Sequence, residues 1–249
     1  MKMKRILFVV ILFICALCNI EAQQINYKAT AFNLFLNGKI SQWPWVINKM
    51  VADPKLQDTE GQLEILTYYY GLVGHLMDVG QKKQASENLR KANELAMKLY
   101  KTNPDNPLLL GLMSNLTGFQ IALSPLKATT LAKGMMNKAK KSIAKGPNDP
   151  HVNILYSNIL FYMPGIFGGD TEKALQGYKK ALQTMEADPE LKKNNWMYIQ
   201  LMVTIGVVEE KRENYVEAQK MYRKVLELYP EYAHVKNVSY PRLLEKMKG

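Results

Sequence analysis

Three histidines, His75, His151 and His234, stand far apart in the chain. None belongs to an H-x-x-x-H or H-E-x-x-H string, the spacings that bring two imidazoles to one helix face around a metal. The two cysteines, Cys15 and Cys18, fall in the first 20 residues. The body of the chain therefore has no thiolate nucleophile, no cysteine metal ligand and no disulfide. Gly168-Gly169-Asp170 could be read as a phosphate turn, but no G-x-x-x-x-G-K-[ST] string exists. It reads instead as a tight turn whose Asp170 or Thr171 caps the next helix. Glu209-Glu210 is a carboxylate pair followed at once by Lys211-Arg212. Acid–base catalysis needs a cleft that drives two carboxyl pKa values apart; alternating opposite charges read as a solvated face. There is no G-x-S-x-G turn, so a Ser-His-Asp set would have to assemble in space. These residues point away from an enzyme and imply no metal and no cofactor.

The elements that must position any site are helical. Apolar residues recur at three and four, and Ala, Leu, Lys, Met and Gln are abundant. The periodicity predicts helices near 25–37, 41–52, 60–79, 82–102, 106–122, 126–146, 150–163, 171–187, 191–212, 215–229 and 240–248. Breakers punctuate them: Asn37-Gly38, Asp53-Pro54, Asn103-Pro104, Gly146-Pro147, Asp188-Pro189 and Tyr229-Pro230. Residues 1–22 read as a secretory signal peptide of bacterial style. Lys2, Lys4 and Arg5 precede the apolar run 6–18, and Ala22 offers a small residue for cleavage. The run is shorter than the ~20 residues a bilayer span needs. Cys15 follows Ile14 and Cys18 follows Leu17, where a lipobox wants Gly, Ala or Ser, so no covalent membrane anchor is expected.

The chain repeats itself. Residues 103–115 and 146–158 align at an offset of 43, matching Pro104 with Pro147, Pro107 with Pro150, Leu112 with Leu155, Ser114 with Ser157 and Asn115 with Asn158. Pro189 and Pro230 extend the period. Two helices per ~40 residues is the signature of an α-solenoid. In 202–230, Gly206 sits where two antiparallel helices approach, Ala218, Tyr222 and Val225 share a face of the second helix, and Pro230 closes the unit. This unit resembles a tetratricopeptide repeat (TPR). It departs from that pattern at Met202, Glu209 and Val225, where Trp, Tyr and Ala are usual. The unit at 150–189 matches through Ala174, Tyr178 and Ala181, with extra residues at 163–169. The loop 163–170 also resembles a turn in the T-components of tripartite (TRAP-type) transporters. The fold expected is all-α, an α-solenoid of about four TPR-like repeats. Residues 23–58 form an N-terminal hairpin, 59–249 form the repeat domain, and a C-terminal helix caps it. Trp43-Pro44-Trp45 would close the N-terminal end or, if exposed, meet a membrane or partner.

The resemblance implies that the first helix of each repeat lines a concave surface. If Ser114, Ser157 and Gly206 mark the close-packed position, Asn115, Asn158 and Val207 face the groove. One turn on come Phe119, Phe161-Tyr162 and Glu210-Lys211, and the same register in the first unit reaches His75. The candidate groove residues are Asn115, Asn158, Phe119, Tyr162 and His75. Amides there could bond an extended peptide backbone and rings could take its side chains; alternatively the asparagines bond neighbouring loops and the rings pack between helices. Of Tyr68-Tyr69-Tyr70, at least one must be core, because three consecutive residues cannot share a helix face.

Charge is uneven. The net charge is +11, and residues 81–146 alone hold 12 basic and 3 acidic residues. That segment is either a patch for an anionic surface or acidic partner, or a solvated lysine face. No nucleic-acid motif appears. The sequence thus predicts an exported, periplasmic scaffold binding a protein or peptide. Its alternatives are a solute-binding accessory of a transport system, or an envelope-associated scaffold held by the 81–146 face.

Overall fold

The computed structural model describes residues 25–248, so the leader expected at 1–22 lies outside the described residues. Several helices begin with Asn or Asp followed at once by Pro. Asn106 accepts from the Leu109 N–H at 3.0 Å ahead of Pro107, Asp149 from the His151 N–H at 2.8 Å ahead of Pro150, and Asp188 from the Glu190 N–H at 2.9 Å ahead of Pro189. The cap satisfies an orphan donor, and Pro sits where its missing N–H is not needed. Asp58, Asp170 and Asn195 cap in the same way without Pro.

The resulting helices pair in order. A hairpin, α1 (Tyr27–Leu36) and α2 (Trp43–Ala52), comes first. Four pairs follow: α3 (Thr59–Asp78) with α4 (Lys82–Thr102), α5 (Pro107–Leu123) with α6 (Ala128–Lys145), α7 (Pro150–Tyr162) with α8 (Thr171–Ala187), and α10 (Trp196–Lys211) with α11 (Tyr215–Leu228). The single turn α9 (Pro189–Lys192) precedes the last pair, and a π turn at Val235–Ser239 leads into α12 (Tyr240–Lys246). No strand occurs among the described residues. The chain is an α-solenoid of TPR-like pairs. One expected helix, 191–212, is divided, because Asn194 takes a left-handed φ of 50° and Asn195 then caps α10.

Burial explains the layering. The second helices bury one stripe: in α11, Ala218, Tyr222 and Val225 are fully buried. The first helices are covered on more sides, and every residue from Leu109 to Leu116 is buried. Such all-round burial marks an inner layer. The close-packed register holds. A Cβ at Gly206 would collide with the Tyr222 ring, one at Gly177 with Ser157, and Ser114 Oγ donates to the Met135 carbonyl at 2.9 Å.

The N-terminal hairpin does more than cover one end. Trp43 is fully buried, donates from Nε1 to the Ala31 carbonyl at 3.0 Å, and lies edge-on to Tyr68 of α3 at 5.3 Å and to Trp196 of α10 at 5.4 Å. Gly71 makes room, since a Cβ there would stand 2.7 Å from Trp43 and 2.8 Å from Trp196. Phe35 stacks on Tyr232 at 4.9 Å, and Phe32 meets Tyr229 at 5.7 Å. The hairpin therefore ties the first repeat to the last. Trp45, its companion in sequence, is 51% exposed.

Candidate functional site

Successive first helices pack side by side, α3 on α5 and α5 on α7. Tyr70 on α3 stacks on Phe119 of α5 at 5.5 Å and 22°. Its hydroxyl accepts from Asn158 Nδ2 on α7 at 2.8 Å. Asn158 Oδ1 in turn accepts from Tyr178 on α8 at 2.6 Å. One carboxamide thus joins three helices. Burial pushes the Tyr70 and Tyr178 phenols well up, and the neighbouring Tyr162 phenol adds to both shifts.

The five expected groove residues take different places. Asn115 is buried, and its Nδ2 donates to the Gly111 carbonyl and to the Leu155 carbonyl, both at 2.9 Å. It is a strut between α5 and α7, and its donors are not offered to a peptide. Asn158 faces inward, but both of its polar atoms are engaged as described. Three of the five are brought to one end of the concave face: His75 and Phe119 are half-buried near the ends of α3 and α5, and Tyr162 ends α7 at 74% exposure. Phe161 beside it is buried under the Lys211 ammonium, 4.9 Å from the ring centre, a cation–π contact. His75 lies close to Asp78 and to His234. Burial is the main cause holding both imidazoles below their usual pKa, and Asp78 opposes it in each.

The concave face therefore has two ends. Around Trp43, Phe35, Trp196 and Tyr232 it is packed shut. Around His75, Phe119 and Tyr162 it forms an open aromatic mouth. Sequence reasoning missed Tyr70 and Tyr178 as its floor, and Trp196, which reaches from the closed end to within 6.4 Å of the Tyr70 ring. The Tyr68–Tyr70 run carried part of that signal, since Tyr68 and Tyr69 are buried and Tyr70 turns inward.

Glu209-Glu210 is not a solvated face, which corrects the sequence expectation. Both are buried. Glu209 accepts from Lys179 at 2.9 Å, from Arg212 at 2.6 Å and from Asn214 at 3.2 Å. Glu210 accepts from Tyr222 at 2.6 Å, and from Arg242 and Lys246 at 3.0 Å each. Apart from Arg212, the cations arrive from α8 and α12, outside the local sequence. Burial alone would raise both carboxyls, but the hydrogen bonds outweigh it and hold them below the ordinary value. Each sits on its own set of donors, so the pair is a structural clamp.

Gly168-Gly169-Asp170 acts as a turn and cap. Gly168 has a φ of 97°, a side chain at Gly169 would collide with the Met163 carbonyl, and Asp170 caps α8 at the Lys173 N–H. Among the described residues, no cluster of three or more His, Cys, Asp or Glu is placed to hold a metal, and no helix is long and apolar enough to cross a membrane. An open depression of about 500 Å³ lies between α4 and α5, lined by Arg90, Glu94, Met97, Gln120 and Lys127 among others.

No family model matches the chain, and no curated protein matches it. Solved structures do. A haemophore of Porphyromonas gingivalis, HusA, superposes with a TM-score of 0.58 at 16% identity, over 78% of this chain and 94% of that one. A thermophilic TPR protein of Thermus thermophilus, TTC0263, does so at 0.53 and 17% identity, over 88% and 97%. PilF of Pseudomonas aeruginosa aligns at 0.41 and 21% identity, over 76% and 71%. At these identities the likeness concerns fold, and by fold the chain is a TPR-like helical-repeat protein.

Proposed function

We propose that the chain is exported by residues 1–22 and acts in the periplasm as a TPR-like scaffold. It takes a protein or peptide partner at the mouth formed by His75, Phe119 and Tyr162. Tyr162 carries this reading. A large aromatic is left 74% exposed at the end of an inner helix, beside a floor whose polar groups are already satisfied. Rigid aromatics at the rim of a preformed floor are the usual anchors of an interface. Asn158 positions that floor. The test is capture by tagged mature protein in its own cell envelope, beside a Phe119→Ala/Tyr162→Ala variant. One defined protein held by the wild type and lost from the variant is the expected result. Capture indifferent to the substitutions would overturn it.

A second reading is a flat aromatic solute at the same mouth, as in a solute-binding accessory. The stacked Tyr70–Phe119 pair and the exposed Tyr162 ring favour it, and the P. gingivalis haemophore has a similar fold. Haemin titration, followed by absorbance in wild type and Tyr162→Ala, separates the two. A saturable spectral change lost in the variant supports the solute. No change leaves the protein partner.

A further inference from the structure

The four turns that join first to second helices lie along one edge of the solenoid. At three of them the tip is apolar and exposed: Val79 at 49%, Leu126 at 93%, and Ile166 and Phe167 at 87% and 53%. Lysines follow each tip, namely Lys82 and Lys83, then Lys127 and Lys133, then Lys173. The fourth turn presents Lys211 and Arg212, both exposed. The second and third tips are neighbours. A Cβ on Gly168 would stand 3.5 Å from the Met136 methyl, and beneath them Met135, Met136, Ile159 and Met163 form a small apolar cluster of their own, separate from the main core. The carboxylates beside those two turns are partly answered locally, with Asp170 near Lys173 at 3.5 Å and Glu172 bound by Arg212 at 2.7 Å. Lys82, Lys83, Lys127 and Lys133 make no ion pair among the described residues.

We infer that this edge docks on an anionic lipid surface, with Leu126, Ile166 and Phe167 entering the interface and the flanking lysines meeting the headgroups. Isolated apolar tips on turns, ringed by ammonium groups, suit the boundary between acyl chains and phosphates. Lysines held within a Debye length of an anionic leaflet add attraction that salt removes. A protein partner would favour a contiguous apolar face with few lysines at its centre, whereas here single tips alternate with cations. This edge differs from the basic stripe expected along 81–146, because it is built from turns of successive repeats.

The test is co-sedimentation of the mature protein with phosphatidylcholine–phosphatidylglycerol vesicles, against phosphatidylcholine alone, at low and high salt. The expected result is binding to the anionic vesicles that weakens with salt. It should fall about tenfold or more in Leu126→Ser/Ile166→Ser/Phe167→Ser. Met97→Ser, an exposed apolar residue of α4, should leave it unchanged. All three substituted side chains are on the surface, and an unaltered thermal melt shows that the variant is folded. Equal binding to both vesicle types, no binding at all, or indifference to the triple change would each overturn the inference. Tyr162 is untouched in these variants, so partner capture at the mouth is scored separately.

Discussion

The two ends of the concave face are built from the same residue types and do opposite things. At the closed end, Trp43, Phe35, Trp196 and Tyr232 are buried to within 8% exposure and interlock edge-on or stacked. At the mouth, Phe119 and Tyr162 keep exposed ring surface over Tyr70. The difference lies in what faces each ring. The closed end receives rings from α1 and α2, whereas at the mouth no ring from that hairpin covers Phe119 or Tyr162. Aromatic content alone therefore does not mark a binding site; an unanswered aromatic does.

That contrast can be broken most severely at Trp43. Trp43→Ala should lower stability by about 3–5 kcal/mol, the range for a large buried ring whose neighbours cannot collapse, read as a fall in the urea midpoint. A loss below about 1 kcal/mol would mean the hairpin is not joining the repeats. Glu210→Ala comes next, at about 2–4 kcal/mol, because it leaves Tyr222 and two cations without their acceptor. The pH dependence has a definite sign. The Glu209 and Glu210 carboxyls sit below their ordinary values in the folded protein. Their stabilisation is thus full above the unfolded carboxylate value of about 4.3. It is lost as pH falls through the lower folded values. Urea midpoints across that acid range should drop in the wild type and drop less in Glu210→Gln.

Asn158→Ala should be smaller, about 1–3 kcal/mol, since it strands the Tyr70 and Tyr178 hydroxyls. It should also weaken partner capture by loosening the floor. Tyr162→Ala should be smallest in stability, within about 0.5 kcal/mol, yet abolish capture. A stability loss as large as that at Trp43 would place Tyr162 in the core and erase the distinction between the two ends.

Much of the fold was legible because it is local. The Asn-Pro and Asp-Pro starts, the Gly206–Tyr222 approach and the Asp170 cap depend on residues a few positions or one helix apart. What escaped the sequence is what the curve brings together. Trp43 and Trp196 meet across the whole repeat array, and nothing in their spacing announces it. Asn115 and Asn158 occupy equivalent positions one repeat apart, but the first meets only backbone carbonyls and the second meets two tyrosines. Glu209-Glu210 read as solvated because the cations that clamp them, Lys179, Arg242 and Lys246, lie 30 or more residues away.

The most direct measurement places a photo-cross-linking side chain at position 162 and, separately, at the exposed Arg223 on the outer helix α11, in the tagged protein in its own envelope. One defined adduct is expected from position 162 and none from 223. Equal adducts from both positions, or none from 162, would contradict the claim that the open mouth is the working surface.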